Sequence, residues 1–89
     1  MDEMQALKSG LTYVLDTELK RHLSSDMLAH MLRAVCATVR ADRDWTNQEM
    51  SERLVAALNA LDEQIEEVLS FNANRFKVTT QIREIAAAL

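Results

Sequence analysis

The chain has no proline, one glycine (Gly10) and one cysteine (Cys36), and each shortage closes off a class of structure or chemistry. Without glycine or proline at their corners, β-hairpins lack the residues their tight turns demand. A single glycine cannot build the glycine-rich loop that cradles a nucleotide phosphate. A lone thiol makes no internal disulfide, so the chain is no disulfide-stapled scaffold and fits a reducing cytosol. No apolar run reaches the roughly 18 residues of a membrane span. The opening Met1-Asp2-Glu3 is acidic where a secretory signal is basic. The expectation is a cytoplasmic protein with no membrane contact.

What is present favours helix. Ala, Leu, Glu, Arg, Met and Gln dominate, all strong helix formers, and the composition of 48% hydrophobic and 27% charged residues is too apolar for a disordered tail. At 89 residues the chain is a single domain in which burial barely exceeds conformational entropy, so a partner chain would help it. The predicted fold is all-α: a small three- or four-helix bundle, expected to dimerise, with helices over about 3–23, 26–40, 47–71 and 75–88.

The third of these is the organising stretch. Thr46-Asn47-Gln48-Glu49 has the capping-box pattern, Trp45 before it suits a hydrophobic staple against Met50, and Met50, Leu54, Leu58, Leu61, Ile65 and Val68 keep one helical face. Upstream, Met4, Leu7, Leu11, Leu15, Leu19 and Leu23, with Val14 beside them, form the stripe of the first helix. Gly10 within it reads as a tolerated small residue, with a close helix crossing as the alternative. Ser24-Ser25-Asp26 should cap a second helix striped by Leu28, Leu32, Val35 and Val39 and broadened by Met27, Met31 and Cys36. The polar run Ala41-Asp42-Arg43-Asp44 is the expected loop. After Val68 the apolar series steps to Phe71 and then to Val78, Ile82, Ile85 and Leu89. Either one helix continues to the end, about 65 Å long at roughly 1.5 Å per residue, or it breaks at Asn72-Ala73-Asn74, where Asn tolerates the left-handed conformation. A break or sharp bend is the favoured expectation.

Thr46-Asn47-Gln48-Glu49-Met50-Ser51-Glu52-Arg53-Leu54 resembles the first helix of helix-turn-helix regulators, which implies DNA binding. Past these nine residues the pattern departs from that family: no tight turn follows, and the chain runs into an acidic stretch that phosphates would repel. Arg33, Arg40 and Arg43 are the candidate contacts if that alternative holds. With a net charge of −4, nucleic acid is an unfavoured partner.

Chemistry is hard to assemble from these residues. His22, His30, Asp26 and Cys36 lack metal-ligand spacing, and Cys36, between Val35 and Ala37, has the setting of a buried thiol rather than of a nucleophile. No cofactor, metal, small-molecule substrate or enzymatic activity is expected. Charge is uneven: over 47–70, Glu49, Glu52, Asp62, Glu63, Glu66 and Glu67 against Arg53 leave −5, whereas Arg75, Lys77 and Arg83 against Glu84 leave +2 in the last segment. Solvated surface is the plainer reading; a basic segment meeting the acidic face of its own helix or of another copy is the alternative. The functional expectation is a helical protein–protein interaction module, in the manner of adaptors, co-chaperones and inhibitory or regulatory proteins. It would pack Leu54, Leu58, Leu61, Ile65, Val68, Phe71, Val78, Ile82, Ile85 and Leu89 onto a partner protein and a second copy.

Overall fold

A computed structural model of the chain describes residues 3–44 and 52–89, with the backbone alone at 42–44. The described residues form four helices, α1 (Glu3–Lys20), α2 (Ser25–Asp44), α3 (Glu52–Leu69) and α4 (Arg75–Ala87). They pack as a ring, α1 on α2, α2 on α3, α3 on α4, and α4 back on α1. Neighbours are antiparallel. Arg75 at the start of α4 reaches Glu18 near the end of α1, and Arg53 at the start of α3 reaches the carbonyl oxygens of Ala88 and Leu89 after α4. This is an up-down-up-down bundle, 38 Å along its longest axis and 24 × 20 Å across.

The core is one cluster drawn from all four helices. Leu7, Leu11 and Val14 come from α1, Leu28, Ala29, Leu32, Cys36 and Val39 from α2, Leu54, Ala57, Leu58, Leu61, Ile65 and Val68 from α3, and Val78, Ile82 and Ala86 from α4. In α1 the stripe was expected to continue to Leu15 and Leu19. It instead passes through Val14, leaving Leu15 half-buried and Leu19 84% exposed. Four-residue steps rotate a straight helix by about 40° each time, so three of them carry Leu19 well off the line that Leu7 begins, whereas a seven-residue step returns Val14 to it.

Helix limits follow the caps. The Ser24 hydroxyl accepts the Met27 N–H at 3.1 Å, which starts α2 at Ser25, whereas α1 ends at Lys20, three residues short of the expected 23. Leu23 is still buried, because the Glu18 carboxylate accepts its backbone N–H at 2.8 Å and folds the connection inward. The expected loop at 41–44 is helical, since charge alone does not stop a helix and neither glycine nor proline is there to do so. The cap at 46–49, the staple at Trp45 and Met50 lie outside the described residues.

The helix breaks after Leu69, two residues before the expected 71, and its described part, Glu52–Leu69, is 18 residues against 20 for α2; the expected start at 47 lies outside the described residues. At Asn74 the backbone is not the left-handed end expected for the break. Asn74 sits at φ −101°, ψ 103°, in the extended region, and its side chain accepts the Lys77 N–H as the N-cap of α4. The asparagine thus begins a helix rather than ending one in a left-handed turn. Gly10 also reads differently in three dimensions: a Cβ there would lie 2.7 Å from Val35 Cγ1 and 3.1 Å from Cγ2. It is the point where α1 and α2 cross closely.

Candidate functional site

The apolar seam expected to meet a partner has another place in the molecule. Leu54, Leu58, Leu61, Ile65, Val68, Val78 and Ile82 lie inside the chain's own core, and Ile85 and Leu89 pack half-buried against it. The apolar stripes of all four helices close on one another, so the chain itself buries this face. Phe71 stands apart, fully exposed in the turn between α3 and α4. Of the three arginines, Arg33 is exposed. Arg40 is not a free cation, because its guanidinium donates to both carboxylate oxygens of Asp62 at 2.8 and 3.3 Å; the Arg43 side chain lies outside the described residues.

The side chains that the core leaves out gather at one end of the bundle, where α1 and α3 finish and α2 and α4 begin. Arg75, the first residue of α4, organises this end. Its guanidinium donates to Glu18 Oε1 at 3.0 Å, to the Leu23 carbonyl at 2.7 Å and to Ser25 Oγ at 3.1 Å. Glu18, whose side chain is only 11% exposed, also holds the Leu23 N–H and stands 3.3 Å from His22 Nδ1. With Arg75 turned inward onto these partners, the adjacent Phe76 is carried about 100° round the helix and out, to 78% exposure.

Phe76 and Leu19 then flank an open groove of about 320 Å³ between α1 and α4, floored by Leu15 and Thr79 and bounded by Arg83 and the Glu18–Arg75 pair. Met27 in the first turn of α2, Leu69 at the end of α3 and Phe71 are exposed at this same end. Five of the seven large apolar side chains exposed among the described residues thus share one end, the others being Tyr13 and Val55. Leaving Leu19, Phe71 and Phe76 in water forgoes roughly 1.5–3 kcal/mol for each side chain, and exposed apolar surface gathered in one place is the usual mark of a contact site.

Other constellations carry less. A second groove, about 270 Å³, opens between α3 and α4 at the opposite end, floored by Ala56, Ala57, Ala60 and Ala88; its one cation, Arg53, is engaged by the carbonyl oxygens of Ala88 and Leu89. Burial pushes the Cys36 thiol up to about 11, outweighing the nearby Arg40 charge, which leaves it protonated and a poor nucleophile at neutral pH. Among the described residues, no group of three or more His, Cys, Asp or Glu could hold a metal ion, and no helix is long and apolar enough to cross a membrane.

Comparison with known proteins adds no constraint: no family model, curated protein or solved structure matches the chain. Sequence reasoning missed Leu19 and Phe76. A signal for each existed, in the angular drift of four-residue steps for Leu19 and, for Phe76, in a position out of phase with Val78, Ile82 and Ala86.

Proposed function

We propose that the protein is a small helical interaction module that acts by docking onto another protein chain, with no chemistry of its own. Adaptors, co-chaperones and inhibitory or regulatory proteins are of this type, and a reduced thiol at Cys36 suits a cytoplasmic setting. The observation that carries the reading is the clustering of Leu19, Phe76, Phe71, Leu69 and Met27 at one bundle end, beside a groove whose rims bear charge. Apolar anchors inside a polar rim are the anatomy of a protein–protein contact. The surface is therefore the end where α1 and α3 finish and α2 and α4 begin, and the stripe from Leu54 to Val68 serves to hold the bundle together beneath it.

Site-specific photocrosslinking tests this. A benzophenone side chain replaces Phe76 in one variant and Tyr13, exposed midway along α1, in another. Protein adducts at position 76, with few or none at position 13, support the reading. Equal labelling at both positions, or none at either, refutes it.

A further inference from the structure

The rim of the apolar end is divided by charge. On the α1/α4 side stand Lys20, Arg21 and Lys77; on the α2/α3 side stand Asp26, Glu66 and Glu67, and all six are exposed. Among the described residues none of these side chains has an ion-pair partner within the chain, whereas Glu18 and Arg75 beneath them satisfy each other. An end with a basic half and an acidic half is complementary to itself. If two copies meet end to end about a two-fold axis running between the halves, the basic half of each lies over the acidic half of the other.

From this we infer that the occupant of the apolar end is a second copy of this chain, in an end-to-end two-fold dimer. The inference rests on the reading of that end as a contact surface and names its partner. The interface is small. A bundle cross-section of 24 × 20 Å offers about 480 Å² per copy, or roughly 1,000 Å² in all, which falls in the weak, reversible class. The dimer is accordingly expected to form with a dissociation constant on the order of 10⁻⁴ M and to be absent from dilute samples.

Sedimentation equilibrium on the purified chain, taken up to about ten times that constant, provides the test through paired charge reversals. Lys20→Glu/Lys77→Glu makes both halves of the rim acidic, and Glu66→Lys/Glu67→Lys makes both basic. All four side chains are exposed, so circular dichroism should show each variant folded. The native chain should dimerise. Each variant alone should associate at least about tenfold more weakly, because like charges then face each other, and an equimolar mixture of the two should recover a dimer.

A native chain that stays monomeric throughout, variants that dimerise as the native chain does, or a mixture that fails to associate would each overturn the inference. A monomeric native chain that still crosslinks another protein through position 76 overturns the inference and leaves the interaction-module reading standing. The absence of both association and crosslinking removes the two together.

Discussion

Replacing Gly10 with alanine sets two opposing effects against each other at the α1–α2 crossing. In a helix interior Ala is favoured over Gly by about 0.8–1.0 kcal/mol, so Gly10→Ala would stabilise α1 if nothing stood nearby. The added Cβ instead meets Val35 Cγ1 at 2.7 Å and Cγ2 at 3.1 Å. Valine in a helix holds essentially one χ1 rotamer, so Val35 has no inexpensive way to turn aside and α1 must move away from α2. Overpacking of this kind costs roughly 1–3 kcal/mol. The clash wins, and Gly10→Ala should lower stability by about 0.5–2 kcal/mol, a fall of several degrees in Tm for a chain of this size. In a Val35→Ala background the obstacle is gone and the same substitution should raise stability by about 0.5–1 kcal/mol. Urea unfolding followed by far-ultraviolet circular dichroism reads both. If Gly10→Ala stabilises the native chain, or acts with the same sign in both backgrounds, the close crossing does not exist.

Three further outcomes follow from the packing and the polar contacts. Glu18→Ala takes from a mostly buried Arg75 its only carboxylate partner among the described residues, leaving it the Leu23 carbonyl and the Ser25 hydroxyl, and frees the Leu23 N–H, at a cost of roughly 2–4 kcal/mol. Asp62→Ala removes a pair that is 39% and 49% exposed and should cost about 0–1 kcal/mol; thermal melts giving the reverse order would contradict the assignment of Arg75 as organiser of its end. Leu61→Asp places a charge at a fully buried position and should cost about 4 kcal/mol or more, removing helicity even at concentrations where the chain is monomeric; an unchanged dichroism spectrum would contradict this core. Finally, the Cys36 pKa is higher folded, about 11, than the ordinary 9.0. Its contribution is therefore complete below pH 9 and is lost as the pH rises through 11, because the unfolded chain ionises first. The difference in stability between the native chain and Cys36→Ala should narrow across that window, and a constant difference would mean that the thiol is not shielded.

The parts of the fold that were legible beforehand are those governed by local chemistry. Helix type, the break before α4 and the start of α2 at Ser24 and Ser25 all rest on propensity and capping, which neighbouring residues decide. What escaped was decided by neighbours distant in sequence. Leu61 and Ile65 read as a seam in need of a partner because nothing in the pattern says that α2 and α4 supply one. Gly10 could be assigned to the crossing only once Val35 stood opposite it. Arg40 looked like a candidate phosphate contact until α3 brought Asp62 to it. Leu19 read as core because strict four-residue spacing was followed beyond the turn at which a straight helix carries it off the face. The Glu18–Arg75 clamp joins positions 57 residues apart, and spacing along the chain carries no trace of it.

The most direct measurement of the central claim is a pair of inter-copy distances from spin labels, with Cys36 replaced by alanine. A label at Asn72 lies in the turn at the apolar end, and one at Ala87 closes α4 at the other. End-to-end docking predicts a short distance between the two Asn72 labels and an Ala87 separation approaching twice the 38 Å long axis. A shorter distance at Ala87 than at Asn72, or no dipolar contact at Asn72 at the concentrations where dimer is expected, would contradict it.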